Sequence, residues 1–260
     1  MKKASLWGAF FVGAIWFAPA QAFCTAPQNL SRATVQQVVD GDTVRLKDGR
    51  SVRLIGINAP EIGRKGRSDE PFAVAARRRL QALVDASGGQ VGLQAGIERQ
   101  DHYGRTLAYL YSADGRSLDA QLLAEGLGYQ VAVAPNLANL QCQQQAERSA
   151  RQAGAGLWKQ FSAQPAEQLA RPGFAVVAGR VEKVSRNRDG IWIDLEGDLV
   201  LRVAKRDQPQ FAGAQLDAWQ GRRVEVRGWV VDRARRGAPG KGQARWMMNL
   251  SHPAMIQRLP

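Results

Sequence analysis

Residues 39–61 have the sequence VDGDTVRLKDGRSVRLIGINAPE, in which two runs of alternating polar and apolar residues flank an Asp-Gly pair. Alternation with a period of two is typical of strands that bury one face, and Asp48-Gly49 is a favoured hairpin turn. The segment therefore predicts two strands, at residues 43–46 and 51–57, joined by a tight turn.

The sequence around this hairpin predicts further strands and helices. Strands are predicted where β-branched or alternating residues recur, at residues 34–39, 90–98 and 106–111. Helices are predicted where apolar residues follow a helical spacing, at residues 70–85, 117–125 and 136–153. Five strands with helices inserted and appended are typical of a small closed barrel of the OB type. We therefore expect an α+β, mainly β fold with three helices.

Residues 173–260 predict a second unit with a similar plan. Strands are expected at residues 175–184, 191–195, 199–203, 224–231 and 246–250, with a short helix at residues 208–219. This order again predicts an OB-like β-barrel domain. The polar, proline-containing residues 163–172 are expected to link it to a first domain of residues 23–162.

The N-terminal residues 1–22 have the pattern of a secretory signal peptide: two early lysines, an apolar run at residues 6–18 and a small-x-small cleavage site at residues 20–22. The apolar run is short for a membrane span, and an uncleaved anchor is the alternative. We expect an exported protein, periplasmic or secreted, without stable membrane association after cleavage. In an oxidising compartment Cys24 and Cys142 could form a disulfide or stay as free thiols.

The composition favours a polyanionic partner. The chain has 36 Lys and Arg against 23 Asp and Glu, a formal net charge of +13. Such a surplus suits nucleic acid first and an anionic membrane surface second, although it could also serve only solubility. A hydrophobic share of 45% argues against global disorder. The two histidines, His102 and His252, are far apart in sequence, which argues against a histidine-metal or zinc nuclease.

The segment from residue 39 to residue 105 holds the groups that phosphodiester hydrolysis needs. Water must be activated, and the charge that grows on the phosphoryl oxygens must be neutralised; a hard cation on oxygen ligands helps with both. Guanidinium groups suit the second task because their fork matches phosphate oxygens. Arg53 shares a predicted strand face with Ile55 and Ile57, so it needs an anion. A phosphate or a structural salt bridge could supply that anion.

Five ordered motifs resemble the staphylococcal nuclease (thermonuclease) family: VVDGDTVRL, VRLIGINAPE, DHYGRTLAYLY, LLAEGLGY and AGAGLW. They cover about residues 34–159, which is most of the first domain. Each motif alone is weak to moderate, whereas their common order is specific. The resemblance implies an OB-type barrel with three helices. It also implies a calcium-dependent, sugar-nonspecific endonuclease, a hydrolase that acts on the ester bonds of DNA or RNA.

The resemblance also implies roles for individual residues. Arg53 and Arg105 would bind and stabilise the phosphoryl group, and Glu61 would act as general base on the attacking water. Glu61 follows the proline that ends its strand, so it is expected at the barrel rim. Tyr103 falls where the family places an aromatic ring near the nucleotide. Its neighbour His102 is a candidate substrate contact or a solvated turn residue.

A metal site is implied at Asp42, Asn58 and the backbone carbonyl of Ala59. The family usually has Asp where this chain has Asn58. Because the amide oxygen is neutral, we expect a lower affinity for Ca²⁺, although neutral oxygens do bind this ion. Arg64 and Lys65 lie just after the motif that ends in glutamate and are candidate contacts to the substrate backbone.

The second domain contains basic and aromatic residues but no evident catalytic set. Basic side chains decorate a glycine-rich segment at residues 233–245, and Trp192, Trp229 and Trp246 lie in apolar strand patterns. These tryptophans could stack on bases or pack in the core. The domain is therefore interpreted as a nucleic-acid-holding or packing domain.

Two other functions compete with an active nuclease. One is a non-catalytic nucleic-acid-binding protein with a disabled nuclease site, which the change at Asn58 favours. The other is a basic envelope or surface adhesion protein, which would bind anionic membranes at least as tightly as DNA. No protein partner is predicted from the sequence.

Overall fold

The computed structural model describes residues 24–64, 66–235, 237, 240 and 242–260. The predicted signal peptide at residues 1–22 and the predicted substrate contact Lys65 lie outside these residues. In the described ranges, no helix is long and apolar enough to span a membrane.

Five strands close the first barrel, as the sequence predicts. They are β1 (Ser31–Val38), β2 (Thr43–Leu46), β3 (Ser51–Leu54), β5 (Gln90–Gln100) and β6 (Thr106–Tyr111), in the order β1-β2-β3-β6-β5. A separate two-stranded sheet joins β4 (Ile57–Asn58) to β7 (Tyr129–Gln130). The predicted strand at residues 51–57 is interrupted because Gly56 adopts a left-handed conformation with φ of 86°.

Three helices pack on this barrel: α1 (Ala73–Ala86), α2 (Leu118–Ala124) and α3 (Leu140–Ala153). Helix α1 begins later than the predicted residue 70, since Phe72 adopts a left-handed conformation that an α-helix does not accept. Helix α3 begins at Leu140, later than the predicted residue 136, and the Asn136 side chain is bonded to both backbone groups of Glu98. Helix α2 starts where predicted, and the Ser117 hydroxyl caps it.

Apolar side chains from the strands and helices form the core of the first barrel. Fully buried members are Val44, Leu46, Val52, Ile57, Leu80, Leu110, Leu118, Leu122 and Leu123. A disulfide between Cys24 and Cys142 ties the start of the described chain to α3, across a sequence separation of 118. Of the two alternatives that the sequence leaves open, the structure shows the paired cysteines.

A buried polar network connects α2, α3 and the turn before β4. Asp119 is fully buried and accepts hydrogen bonds from the Ser117 hydroxyl and the Gln143 amide. The same amide nitrogen of Gln143 donates to the carbonyl of Ile55 at 3.0 Å. Burial raises the pKa of Asp119 to about 6, although these hydrogen bonds oppose the rise.

The second barrel is also closed by five strands, which confirms the predicted second OB-like β-barrel. After the short β8 (Gln164–Pro165), its strands are β9 (Gly173–Asn187), β10 (Gly190–Leu195), β11 (Leu199–Ala204), β12 (Arg223–Asp232) and β13 (Trp246–Asn249). They are joined in the order β12-β13-β11-β10-β9, and β9 pairs again with β12 to complete the circle. A final strand, β14 (Ile256–Arg258), pairs with β12. The short helix expected at residues 208–219 is two 3₁₀ segments, Lys205–Phe211 and Leu216–Trp219.

The residues expected as a linker, 163–172, pack on the second barrel. Strand β8 pairs in parallel with β9, and Ala166 is buried in the core of the second barrel. Trp246 is buried in that core, Trp192 is half-buried, and Trp229 is 41% exposed.

We predict that Asp119→Asn flattens the pH dependence of stability. Because the pKa is raised in the folded state, stability is fully present below the unfolded pKa of about 3.9 and falls as pH rises through about 6. The amide should remove roughly 1–3 kcal/mol of this decline while its oxygen and nitrogen still bond Gln143 and Ser117. Urea unfolding between pH 4 and 7 measures the slope. Equal slopes in both proteins would contradict the assignment.

Candidate active site

The carboxylate of Asp42 is the centre of the candidate site. It lies just before β2 and is 3% exposed. One oxygen accepts the Thr43 hydroxyl at 3.0 Å; the other accepts the backbone N–H of Ala59 at 2.8 Å. Gly41 is required here because a Cβ at this position would lie 2.6 Å from the Cβ atoms of Ala59 and Ala76. Asp42 therefore joins the start of β2 to the segment that follows β4.

Arg53 neutralises Asp42 and binds the turn that follows β3. One terminal nitrogen, Nη2, lies 3.0 Å from the Asp42 carboxylate and donates to the amide oxygen of Asn58 at 3.2 Å. The other, Nη1, donates to the carbonyls of Leu54 and Ile57 at 2.6 and 2.7 Å. The side chain of Arg53 is only 11% exposed, so the ion pair with Asp42 is largely buried. Of the two anions considered for Arg53, the structure contains the salt bridge.

A second buried carboxylate, Asp40, lies beside Asp42. Its oxygen accepts the backbone N–H of Asp42 at 3.0 Å. Burial, followed by repulsion from Asp42, raises the pKa of Asp40 to about 7. No lysine or arginine of the described residues forms an ion pair with Asp40. The DGDT motif was the available signal for Asp40, which sequence reasoning left out of the metal site.

The oxygen atoms gathered here fit a hard divalent cation. Asp40 and Asp42 are neighbouring buried carboxylates, and a single arginine neutralises only one of them. Asn58 and Ala59, the other predicted metal ligands, are bonded to this pair through Arg53 and through a backbone N–H. Carboxylate, amide and carbonyl oxygens are typical Ca²⁺ ligands. Over the described part of the chain, however, no three Asp, Glu, His or Cys side chains converge as a metal-binding cluster.

Glu61 lies at the rim of this cluster and is exposed to solvent. Its backbone N–H donates to the Glu70 carboxylate at 2.9 Å, and its carbonyl accepts the N–H of Glu70 at 3.0 Å. Partial burial, followed by the charge of Asp42, raises the pKa of Glu61, and Arg53 opposes this effect. Asp42 and Arg53 therefore lie near enough to Glu61 to move its pKa in opposite directions, as expected if the three share a site.

Arg105 lies at the end of the turn that precedes β6 and is bonded to a residue of that turn. Its Nε atom donates to the Asp101 carboxylate at 2.7 Å, and its backbone N–H donates to the other oxygen of that carboxylate. The parallel pairing of β3 with β6 places Arg53 opposite Leu107. Arg105 lies directly before β6, two residues ahead of Leu107, and β6 is a neighbour of the strand that carries Arg53. Among the described residues, no hydrogen bond or ion pair joins Arg105 to Asp42 or Glu61, and its side-chain partner is Asp101.

The predicted substrate contacts lie at the periphery of the site. Tyr103 is 74% exposed at the turn before β6, with its ring centroid 3.7 Å from that of His102. The Arg105 guanidinium lies 5.5 Å from the centroid of the tyrosine ring. Arg64 is exposed, and its charge opposes the rise in the pKa of Glu61.

The sequence matches known nucleases over the first barrel. The family model of staphylococcal nuclease homologues matches residues 51–160. A thermonuclease of Staphylococcus intermedius is 32% identical over 128 residues, which are 48% of this chain and 74% of that protein. Endonuclease YncB of Bacillus subtilis is 34% identical over 103 residues, 38% of this chain and 48% of that protein.

A prophage-derived endonuclease of the same bacterium, YokF, is 36% identical over 103 residues, 38% of this chain and 34% of that protein. The chain therefore spans about half or less of the length of these two Bacillus relatives. The second barrel lies outside the residues that the family model matches.

We predict that Arg53→Met destabilises the fold far more than Arg105→Met does. Removing Arg53 leaves the buried Asp42 carboxylate unpaired, which should lower the free energy of unfolding by about 3–5 kcal/mol. The matched change at Arg105 breaks a more exposed pair with Asp101 and should cost less than about 1 kcal/mol. Urea unfolding at pH 7 compares the two. Similar losses would show that the Arg53 pair does not hold the site together.

Proposed function

Because the chain belongs to the staphylococcal nuclease family, we propose that it is a metal-dependent nuclease that hydrolyses phosphodiester bonds in DNA or RNA. The observation that carries the proposal is the bonded set of Asp42, Arg53, Asn58 and Ala59 with Glu61 at its rim. A buried arginine, oxygen ligands and an exposed carboxylate supply the groups that this hydrolysis needs.

The arginines suit the charge that grows on the phosphoryl oxygens. Arg53 is fixed by four acceptors from three segments, so its orientation is set before substrate binds. Arg105 is held only through its Nε and backbone N–H, and its terminal nitrogens have no acceptor among the described residues. Those terminal N–H groups are free to donate to a phosphate, in the paired geometry that guanidinium groups favour.

Glu61 suits the role of general base on the attacking water. A base acts best when its pKa approaches the working pH, and partial burial with repulsion from Asp42 moves the pKa of Glu61 in that direction. Its backbone is fixed by two hydrogen bonds to Glu70, while the residue stays exposed at the rim. The backbone that carries the carboxylate is therefore fixed, while the residue stays accessible to water.

We further propose that Ca²⁺ is the cofactor, held by Asp42, Asn58 and the carbonyl of Ala59, with Asp40 adding a second carboxylate. When bound, a divalent cation would offset the negative charge of the phosphoryl group. The neutral amide of Asn58 should make its binding weaker than a third carboxylate would.

The proposed substrate range follows from the kind of contact that these residues offer. Arg53, Arg105, Arg64 and Lys65 suit phosphate groups, which carry no base sequence and occur in both DNA and RNA. The exposed Tyr103 offers a flat ring on which any base can stack. We therefore propose sugar-nonspecific endonuclease activity. The signal-peptide pattern of residues 1–22 supports export to the periplasm or the medium.

One observation favours a second candidate function. Asn58 replaces an expected carboxylate, and Arg53 already neutralises Asp42, so of these three side chains none offers an unpaired negative charge to a cation. A chain with such a site could bind nucleic acid without cutting it.

We predict that Glu61→Gln lowers kcat for single-stranded DNA by about 10²–10⁴-fold, because the amide cannot accept a proton from water. DNA binding measured by fluorescence anisotropy should change little. Glu182→Gln is the control, since it makes the same change at an exposed position of β9 in the second barrel. Unaltered turnover in the Glu61 variant would remove Glu61 from the mechanism.

We predict that Asn58→Asp strengthens Ca²⁺ binding by about tenfold or more, because a third carboxylate is added close to the ion. Calorimetric titration with Ca²⁺ measures the affinity independently of cleavage. Asn187→Asp, at an exposed turn of the second barrel, adds the same charge away from the site. The proposed metal site would be wrong if both variants bound Ca²⁺ as weakly as the unaltered chain.

A further inference from the structure

The second barrel binds the segment of the first barrel that supports the candidate site. This segment, residues 129–136, is called the connector below; it runs from β7 to the residues before α3. Its first part pairs with β4, with Ile57 opposite Gln130 and Asn58 opposite Tyr129. The N–H of Val131 also donates to the carbonyl of Gly56 at 3.0 Å. The connector thus holds the strand that carries Asn58.

Arg227 of β12 makes the first set of contacts and is almost completely buried. Its Nη1 atom donates to both oxygens of Glu147 on α3, each at 2.7 Å, and to the carbonyl of Gln130 at 3.3 Å. The same Glu147 carboxylate accepts the N–H of Gln130 at 2.8 Å. Both backbone groups of Gln130 are therefore bonded to one ion pair that crosses between the barrels.

Two further charged side chains, Glu225 and Arg151, join the ion pair of Arg227 and Glu147. Glu225 of β12 accepts from Nη2 of Arg227 at 3.0 Å and from Arg151 of α3 at 2.8 Å. Burial disfavours the charged form of Arg227, whereas Glu147, followed by Glu225, raises its pKa. A buried guanidinium needs such partners, and it is worth little to stability compared with apolar packing. The arrangement is better suited to fixing the position of the connector.

Ser251, just after β13, makes the second set of contacts. Its hydroxyl donates to the carbonyl of Ala132 at 2.9 Å and accepts the N–H of Ala134 at 3.2 Å. Next in the connector, Asn136 bonds both backbone groups of Glu98 near the end of β5. Strand β5 leads into the turn that holds Arg105. The two ends of the connector therefore support the two halves of the candidate site.

We propose that Arg227 is a positioning residue of the nuclease site and that the second barrel works by fixing β4, in addition to any contact with nucleic acid. The effect would pass from Arg227 to Gln130, from Gln130 to Ile57 across the β7–β4 pair, and from the Ile57 carbonyl to Arg53. The expected effect of Arg227 on kcat rests on the proposed nuclease function. Its expected effect on the position of β4 does not.

The test compares Arg227→Met with Ile193→Ala in the full chain. Ile193 is fully buried in β10, a strand that pairs with neither β12 nor β13, so its truncation weakens the second barrel without removing a hydrogen bond or an ion pair that reaches the connector. Arg227→Lys is the conservative variant: an ammonium can pair with Glu147 but cannot span Glu147, Gln130 and Glu225 as the guanidinium does.

Two readouts separate positioning from general destabilisation. We expect amide hydrogen exchange at Gln130 and Val131 to rise by about tenfold or more in Arg227→Met, to rise less in Arg227→Lys and to stay unchanged in Ile193→Ala. Since small displacements of catalytic groups are costly, kcat on single-stranded DNA should fall by about 10- to 100-fold in Arg227→Met with little change in KM. Ile193→Ala should keep its kcat at temperatures where it is folded.

Several outcomes would overturn the proposal. Unchanged exchange at Gln130 and Val131 in both Arg227 variants would show that the ion pair does not hold the connector. A raised KM with unaltered kcat would show that the second barrel acts on substrate binding alone. If Arg227→Met does not fold, Arg227→Lys and Ser251→Ala decide the question by the same readouts. If the unaltered chain cuts no nucleic acid, the proposed function fails, and the exchange data still decide whether Arg227 fixes β4.

Discussion

The buried carboxylate of Asp42 is the constraint on which the candidate site depends. A charge removed from water must be paired and hydrogen-bonded, and Asp42 meets this need with donors from three separate segments. Satisfying it draws the residue after β4 and the guanidinium of Arg53 to one point. Arg53 uses its other terminal nitrogen, Nη1, to bind the carbonyls of Leu54 and Ile57 around the turn of Gly56. The bonds that compensate for burying the Asp42 charge therefore also position the oxygen ligands and the Arg53 guanidinium of the candidate site.

The strands that carry this site are too short to be stable alone. β4 has two residues and β7 has two, whereas an isolated pair of strands in water is marginal even when it is longer. Their position is set from outside: by Gln143, which binds the carbonyl of Ile55, and by the ion pair of Glu147 and Arg227. Support from α3 comes within the family domain, while support from Arg227 comes from the second barrel. The chain thus has a reason to keep the two barrels in contact that is distinct from holding substrate.

The sequence was sufficient for features that depend on local patterns. Period-two alternation located β2 and β6 to the residue, and the order of strands predicted both barrels correctly. The ordered motifs predicted family membership, which the comparison confirmed. Local conformation limited the rest: a left-handed Phe72 delayed α1, and a left-handed Gly56 divided one predicted strand into two.

Features that depend on distant residues were not visible in the sequence. Glu147 and Arg227 are separated by 80 positions, and neither has a pattern that marks it as the partner of the other. The contact of Asp42 with Arg53 was one of two alternatives, because an exposed phosphate and a buried carboxylate would favour the same arginine. Asp40 was within a quoted motif, yet only its burial beside Asp42 reveals it as part of the site. Residue type and spacing predict which groups are present, whereas burial and pairing require the fold.

The most direct test of the account is cleavage of single-stranded and duplex DNA by residues 23–260 over a range of Ca²⁺ concentrations, with an excess of chelator as the metal-free reference. The account predicts cutting that requires Ca²⁺, saturates as the ion is added and stops on chelation. DNA binding without cutting at every Ca²⁺ concentration, and equally with Mg²⁺ or Mn²⁺, would contradict it. That result would instead identify a nucleic-acid-binding protein whose nuclease site is disabled at Asn58.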